Sequence, residues 1–201
     1  RFLLLLFGVF LLPYVFLSIS ALSLVMASQF MGKAKIEAAG YAFGAGRLSA
    51  DIASGQLSLY SKIPVAGRAL IGLKNLSALL KKGNSLGERG LTTIKEGSLL
   101  FSKVLGKEVY DPYALSQNLA LELDYLYKES GFLLTEVDGG GGTFTNFIKD
   151  RSFYKRIPEV REKVLQAKRI ISEFPALTGL EKPTNYLILF QNNMELRPTG
   201  G

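Results

Sequence analysis

The first 32 residues differ from the rest of the chain in their pattern of hydrophobic and polar positions. No charged residue occurs between Arg1 and Lys33, and the run Phe2–Gly32 is predominantly apolar. A helix of about 20 apolar residues crosses a hydrocarbon core of about 30 Å, and it satisfies its own backbone hydrogen bonds there. The pattern therefore predicts a transmembrane anchor over residues 1–32.

A secretory signal peptide is the alternative interpretation of this run. Signal peptides have a shorter apolar region of about 7–15 residues and a cleavage site flanked by small residues. The run here is longer, and its Leu24–Ser28 segment is a poor cleavage site. A retained anchor is therefore favoured, with Pro13 interrupting the backbone hydrogen bonding of the helix.

Past the anchor, apolar residues recur at alternating steps of three and four, which is the period of a helix with one packed face. The first such stripe is rich in small residues: Ile36, Ala39, Phe43, Gly46, Ala50, Ala53, Leu57 and Tyr60. It predicts a helix over Ala34–Tyr60 that a neighbouring helix can approach closely.

Two further helices are predicted before Gly106. The first carries a stripe from Ala66 to Leu80 and ends at Gly83, since glycine readily adopts the left-handed conformation of a helix end. The second opens at a capping box, Ser85–Glu88, in which serine and glutamate satisfy the first backbone donors.

The next predicted helix starts at Asp111, which caps it, with Pro112 in the first turn. It is predicted to end at Gly131. Glu122 and Asp124 lie two positions apart in it, so they point to different faces and are not expected to form a catalytic pair.

Residues 139–182 are predicted to form a glycine-rich linker and a basic helix. Neither a Lys-Ser/Thr pair nor a clear strand accompanies Gly139–Gly142, so this run indicates a flexible connector rather than a phosphate loop. Lys149–Arg169 then holds eight Lys or Arg against three acids, and Pro158 marks the predicted helix start. Six residues make a candidate basic patch: Lys155, Arg156, Arg161, Lys163, Lys168 and Arg169. The patch either docks on anionic lipid or polymer, or is a solvated face paired with its own glutamates.

The last segment, residues 183–201, changes from helical to extended patterning. Tyr186–Phe190 is a continuous apolar run bounded by polar residues, which is typical of a buried strand. A lone strand is not stable without partners, so the rest of its sheet is expected beyond Gly201. The segment is predicted to be the start of a truncated α/β domain.

Composition excludes several kinds of site. The 201 residues include 24 Lys or Arg and 17 Asp or Glu, and neither His nor Cys occurs. The usual zinc-ligand sets and the Ser–His or Cys–His nucleophile pairs cannot form without them, and no metal or other cofactor is predicted. The basic surplus suits anionic headgroups or envelope polymers. Nucleic acid is not an expected partner, because no motif for binding it occurs.

The run YLILFQNNMELRPTGG, Tyr186–Gly201, resembles a motif of the bacterial domain-of-unknown-function 4012 family. The turns Phe174–Leu180 before it match the layout of that family, whose members have an N-terminal anchor and a variable helical region. The resemblance implies an envelope protein that faces outward from the cytoplasmic membrane. Lys33 and Lys35 favour the opposite orientation by the positive-inside rule. A fainter likeness in layout to the LytR–CpsA–Psr glycopolymer transferases implies an enzymatic alternative.

Candidate ligand-binding residues follow the predicted strand: Asn192, Asn193, Glu195 and Arg197. Ligands of open sheets gather at the carboxyl ends of strands. Arg197 could bind a phosphate or carboxylate through two donors, and Glu195 could act as a base or a metal ligand. An Arg197–Glu195 ion pair that holds the turn is the structural alternative.

These patterns predict a mainly α-helical chain with four parts. They are an anchor (1–32), an antiparallel helical bundle (33–138), the linker and basic helix (139–182), and the first strand of a truncated α/β domain (183–201). The expected function is that of a single-pass protein of the cytoplasmic membrane with an extracytoplasmic scaffold or interaction domain. Its expected partners are the bilayer and an anionic envelope polymer or lipid headgroups. The alternative is the N-terminal part of a glycopolymer transferase-like enzyme, inactive by itself.

Overall fold

The structure, a computed structural model, consists of long α-helices packed side by side. It describes residues 2–62, 70–106, 111–139, 146, 148–150, 152–180, 182–183 and 185. Its long helices are α1 (Phe2–Gly32), α2 (Ile36–Tyr60), α3 (Ile71–Gly106), α4 (Pro112–Gly139) and α5 (Ser152–Leu177). No strand occurs among these described residues, and the predicted strand Tyr186–Phe190 lies outside them. The prediction of a mainly helical chain is confirmed.

Successive long helices run antiparallel. Along each pair of neighbouring helices, the residues that meet rise in number on one helix while they fall on the next. For α1 and α2, Phe10 meets Tyr60, and Ala27 shares a buried cluster with Ala39. The later pairs show the same order: Arg47–Glu88 and Asp51–Lys81 for α2–α3, Lys82–Glu129 and Arg89–Glu122 for α3–α4, Asp124–Lys168 and Asp138–Tyr154 for α4–α5. The described helices therefore form an antiparallel bundle.

The turn between α1 and α2 is built on Ala34. Its φ is 55°, in the left-handed region that usually selects glycine at a helix end. The N–H of Lys35 donates to the carbonyl of Phe30 at 2.9 Å, and that of Ala34 donates to the carbonyl of Met31 at 3.0 Å. These are the paired bonds of a Schellman motif. The chain thus reverses within three residues, which places α2 along α1.

α2 has the predicted stripe of small residues on its inward face. The buried positions are Ala39, Phe43, Gly46, Ser49, Ala50, Ala53 and Leu57. Two glycines show how closely the helices approach. A Cβ on Gly46 would overlap the amide of Asn84, and a Cβ on Gly87 would overlap the ring of Phe43. Larger side chains at either glycine would force α2 and α3 apart.

The prediction of two helices between Ala66 and Gly106 is wrong, because α3 is one continuous helix of 36 residues. Gly83 does not end a helix; instead Leu24 of α1 and Leu133 of α4 lie against it, so three helices meet there. Packing overrides the local end signals. Leucines before and after Gly83 are buried in clusters with residues of α1 and α2: Leu76 and Leu80 before it, and Leu91 after it.

α4 begins as predicted and ends later than predicted. The carboxylate of Asp111 accepts hydrogen bonds from the N–H groups of Tyr113 and Ala114, at 3.0 and 3.1 Å, and so caps the helix. Gly131 is not a helix end, because α4 continues well past it. A Cβ at this position would crowd the guanidinium of Arg161, so the glycine leaves space for the end of that side chain against α4.

α5 begins earlier than predicted. Its first residue is Ser152, so Pro158 lies inside the helix rather than at its start. At the other end, Gly179 has a φ of 71°, and the N–H of Leu180 donates to the carbonyl of Pro175 at 2.9 Å. This is again a Schellman end. Most of the segment Phe174–Leu180, which was predicted to form turns, therefore belongs to the end of α5.

The buried apolar residues form separate clusters along the bundle. One cluster joins α1, α2 and α3: Leu17, Ala50, Ala53, Leu57, Leu73, Leu76 and Leu80. Another joins α3, α4 and α5: Leu100, Leu119, Leu123, Ile171 and Phe174. In the second cluster the ring of Phe174 meets that of Phe101 edge to face, with the centroids 5.5 Å apart. α3 takes part in both clusters and links the two halves of the bundle.

Candidate membrane-facing surface

The two sides of α1 differ in kind. Its inward side holds buried, mostly small residues: Pro13, Leu17, Ser20, Ser23 and Ala27. Its outward side exposes large apolar side chains along the helix: Phe10, Leu11, Leu12, Tyr14, Val15, Ile19, Leu22, Met26 and Met31. By length and composition α1 is able to cross a membrane. Of the most apolar stretch within Phe10–Gly32, 28% is buried in the bundle. The outward side of α1 is therefore an apolar surface that no other described helix covers. A core helix of a water-soluble protein differs from it, because neighbouring elements cover all of its apolar sides.

No charge interrupts this surface between Arg1 and Lys33. Continuous exposed apolar patches of more than a few hundred Å² mark contacts with membranes or with other proteins. The outward side of α1 is therefore the leading candidate for a functional surface in the described part of the chain.

A buried polar contact ties the inward side of α1 to α3. The Nδ2 group of Asn84, which is fully buried, donates to the Oγ of Ser20 at 3.1 Å and to the carbonyl of Leu80 at 2.8 Å. Its Oδ1 has no hydrogen-bond partner among the described residues and lies against Gly46. A buried oxygen without a hydrogen-bond partner lowers the stability of the fold. A buried asparagine that has such a cost is typical of a residue that fixes the register between helices.

Sequence reasoning missed this contact, although a signal for it exists. Leu76 and Leu80 belong to the predicted stripe of α3, and its next position, 84, holds an asparagine. A polar residue at a core position of a helix requires a buried partner. Gly83 conceals this signal, because a glycine directly before Asn84 indicates a helix end in the sequence.

A pocket of about 290 Å³ lies where the start of α1 meets the end of α2. It is lined by Phe10, Leu11, Pro13, Tyr14, Leu57, Tyr60 and Leu70. The lining contains no carboxylate, ammonium or guanidinium group, and its polar side-chain atoms are two tyrosine hydroxyls. The pocket therefore offers apolar contact and no acid–base pair.

Two members of the candidate basic patch hold α5 against α4. The guanidinium of Arg161 lies 4.5 Å from the ring centre of Tyr127, and its Nε donates to the carbonyl of the same residue at 3.3 Å. Lys168 forms an ion pair with Asp124. Both cations are engaged within the bundle and are not free to bind an external anion.

The other four members lie on the outer face of α5 and are exposed: Lys155, Arg156, Lys163 and Arg169. Lys163 pairs with Glu159 at 2.7 Å, and its hydrogen bond lowers the pKa of that carboxyl. Glu162 and Glu173 are exposed on the same helix. Four cations thus face three carboxylates, which favours a solvated face of mixed charge over a basic docking patch.

The two acidic residues of α4, Glu122 and Asp124, were predicted to point to different helix faces, and they contact different neighbouring helices. Glu122 pairs with Arg89 of α3 at 2.9 Å. Asp124 instead pairs with Lys128 one turn along α4, at 2.7 Å, and with Lys168 of α5. Hydrogen bonds from Lys128 and Lys168 lower the pKa of Asp124. This carboxylate is therefore charged and structural.

The candidate ligand residues Asn192, Asn193, Glu195 and Arg197 lie outside the described residues. Within the ranges that the structure describes, no three His, Cys, Asp or Glu side chains come together to hold a metal ion. Comparisons with protein-family models, with curated proteins and with solved structures found no match. The resemblance to the 4012 family thus rests on the C-terminal run and remains a prediction from sequence.

Proposed function

We propose that this chain is a membrane-anchored scaffold of the cell envelope. α1 enters the cytoplasmic membrane as a single span, and α2–α5 form an extracytoplasmic interaction module. The observation that carries the proposal is the outward side of α1, which is charge-free and uncovered. The extracytoplasmic side is supported by the family resemblance alone. Anionic headgroups or an anionic envelope polymer are the partners that the basic surplus of the chain suits.

Crossing the bilayer requires α1 to leave α2 and α3. Leu17, in the middle of α1, belongs to one buried cluster with Ala50 of α2 and Leu80 of α3. The residues that follow these two, Asp51 and Lys81, form an ion pair. If a bilayer surrounded the bundle in this arrangement, the Asp51–Lys81 ion pair would lie inside the hydrocarbon core. A charged side chain at the bilayer centre costs at least about 2.5–3.5 kcal/mol. In the proposed inserted state, acyl chains replace α2 and α3 around α1, and the connecting turn is the pivot.

Membrane insertion is tested by carbonate extraction of membranes from cells that express the full chain. We expect the wild-type chain to stay in the membrane pellet. Leu22→Arg places a charge on the outward side of α1, where Leu22 is 62% exposed, and should release part of the chain. The matched control is Leu121→Arg on α4, at a leucine that is 68% exposed, which should leave retention unchanged. Release of the wild-type chain would contradict the proposal.

The side of the membrane is tested by thiol labelling, because the chain contains no cysteine. Gly139→Cys introduces one thiol at an exposed position with open space around its Cβ. An impermeant maleimide should label it in intact cells. Labelling only after lysis would place α2–α5 in the cytoplasm and overturn the extracytoplasmic assignment.

Separation of α1 from the bundle is tested with the double variant Ser20→Cys, Asn84→Cys. The two native side chains are in hydrogen-bond contact, so a disulfide should form on oxidation of chain synthesised without lipid. In membranes we expect no disulfide. A disulfide there would show that α1 stays in the bundle and does not cross the bilayer.

The transferase alternative remains a proposal from the resemblance. Its test is glycopolymer transfer by the purified full chain, with Arg197→Ala as the variant and Arg156→Ala, on the outer face of α5, as the control. Transfer that Arg197→Ala abolishes and Arg156→Ala preserves would favour the enzyme over the scaffold.

A further inference from the structure

α2 carries a second apolar stripe opposite its buried one. The residues of this outer stripe are Tyr41, Ala45, Leu48, Ile52, Gly55 and Leu59, and all of them are exposed. They follow one another at steps of four, three, four, three and four, which is the spacing of the a and d positions of a heptad repeat. Tyr41 is 81% exposed, Leu48 61% and Leu59 63%. The bundle therefore leaves the stripe uncovered.

Two glycines on this side of α2 have no packing role in the described bundle. Nothing lies within 4 Å of a Cβ built on Gly44 or on Gly55, whereas Gly46 is required by Asn84 on the buried side. A glycine inside a helix costs about 0.5–1 kcal/mol relative to alanine. Small residues allow another backbone to approach closely, so an external helix would account for both glycines.

The outer stripe is narrow, which separates it from the broad apolar side of α1. The charged residues nearest to it in the middle of α2, Arg47 and Asp51, pair with Glu88 and Lys81 of α3 and are drawn away from the stripe. A strict a/d stripe is the pattern of a seam between two helices. Acyl chains require a broad charge-free face and no heptad spacing. A helix is therefore the better match as occupant.

We propose that the outer stripe is the contact of a homodimer, in which α2 of one copy packs against α2 of a second copy. The stripe is complementary to itself, as a two-fold interface requires. In an antiparallel pair centred on position 50, large residues oppose large ones and small residues oppose small ones: Tyr41 with Leu59, Leu48 with Ile52, and Ala45 with Gly55. A parallel pair in register sets each residue against its own copy.

The stripe spans fewer than three heptads, so it joins two folded bundles and is not a free-standing coiled coil. A contact made by one helix from each copy lies at or below about 1,200 Å², the lower limit of stable interfaces, and we expect a dissociation constant on the order of micromolar. This inference does not depend on the bilayer proposal. If both hold, confinement of the anchored chains to a membrane raises their effective concentration and favours the dimer.

The dimer is tested by sedimentation equilibrium of the full wild-type chain in detergent micelles. We expect a monomer–dimer equilibrium, and Leu48→Glu should raise the dissociation constant about tenfold or more. Leu121→Glu, at the comparably exposed leucine of α4, is the matched control and should leave the dissociation constant unchanged. A monomeric wild-type chain, or equal weakening by both variants, would overturn the inference.

Cysteine cross-linking gives an independent test in membranes. Leu48→Cys alone should form a disulfide-linked dimer if α2 pairs in parallel. A mixture of Leu48→Cys and Ile52→Cys chains should form a heterodimer if it pairs antiparallel. Either disulfide supports the contact, and the absence of both overturns it, with Leu121→Cys as the background control. Carbonate extraction of the same samples separates the two proposals, because a monomer that stays in the pellet removes the dimer and leaves the anchor intact.

Discussion

The two halves of the bundle are held together by different kinds of packing. Between α1, α2 and α3 many of the contacts are made by small residues, among them Ala27, Ala39, Gly46, Ala50 and Gly87. Between α4 and α5 they are made by leucines, aromatic rings and ion pairs, among them Leu119, Leu123, Phe174, Arg161 and Lys168. Small-residue packing brings backbones close and tolerates no added volume. Leucine packing tolerates no lost volume.

This difference bears on which helix is able to leave the bundle. Burial of alanine and serine removes less apolar area from water than burial of leucine and phenylalanine, at about 25 cal/mol per Å². The inward side of α1 buries Ser20, Ser23 and Ala27, so its contacts with α2 and α3 contribute less than a leucine-rich face of equal length would. If α1 exchanges these protein neighbours for lipid, as proposed, its small buried residues lower the cost of that exchange.

The largest effect is expected where volume is removed from the leucine-packed half. Leu119 is 2% exposed, and Leu119→Ala should lower the free energy of unfolding by about 2–5 kcal/mol, through lost burial and the cavity left behind. Urea denaturation followed by circular dichroism measures it. Leu121→Ala, on the exposed side of the same helix, should stay within about 0.5 kcal/mol of the wild type. Equal losses would contradict the assignment of this core.

The next effect comes from volume added to the small-residue half. Gly87→Ala places a methyl group where the ring of Phe43 lies, and should lower the free energy of unfolding by about 1–3 kcal/mol. Gly90→Ala is the control in the same helix, because nothing lies within 4 Å of its Cβ. It should raise the free energy of unfolding by about 0.5–1 kcal/mol. Stabilisation by both substitutions would rule out the close approach of α2 to α3.

The ion pairs of the α4–α5 half predict a dependence of stability on pH. Hydrogen bonds from Lys128 and Lys168 lower the pKa of Asp124 in the folded state. Its stabilising contribution is therefore complete above the ordinary pKa of an aspartate and is lost as the pH falls through the lower folded value. Asp124→Asn should lower the unfolding midpoint at neutral pH and flatten its acid dependence.

The control for Asp124 is Glu159, whose pKa is lowered by Lys163 within α5 alone. Glu159→Gln breaks no contact between helices, so its effect on the unfolding midpoint should be smaller than that of Asp124→Asn. An equal or larger effect of Glu159→Gln would show that the Asp124 pair does not hold α5 to α4.

The smallest effect is expected at the turn between α1 and α2. Ala34 has a φ of 55°, and an L-residue with a Cβ pays about 1–2 kcal/mol in this conformation. Ala34→Gly removes that strain but gains entropy in the unfolded chain, so a net rise of about 0.5–1 kcal/mol in the free energy of unfolding is expected. Ala38→Gly, inside α2, should lower it by about the same amount. A loss at both positions would argue against the left-handed turn.

Helix faces were easier to predict from the sequence than helix ends. The stripe of α2 was predicted correctly, because its period reports which side is packed. Gly83 and Gly131 were predicted as ends, but each accommodates a neighbour, Leu24 for the first and Arg161 for the second. A glycine that ends a helix and one that makes room inside a helix look alike in sequence. The difference lies in a partner that is distant along the chain.

The candidate surfaces were predictable to different degrees. The α1 surface follows from an uncharged run, which is a local property. The basic patch does not follow from composition, because Lys168 is neutralised by Asp124, 44 residues earlier in the chain. The outer stripe of α2 is visible in the sequence as a heptad spacing, but the inner stripe on the same helix is sufficient to predict the helix and so hides the second one.

The glycines that face a neighbouring helix impose a rule on how related sequences can diverge. Gly46 and Gly87 each accommodate one buried side chain, of Asn84 and Phe43 respectively. A larger residue at either of these glycines requires a smaller partner, so each pair should change together during evolution. Gly44 and Gly55 have no such partner in the described bundle. If they covary with Leu48 or Leu59 instead, the pattern of substitution would itself trace the contact between two copies.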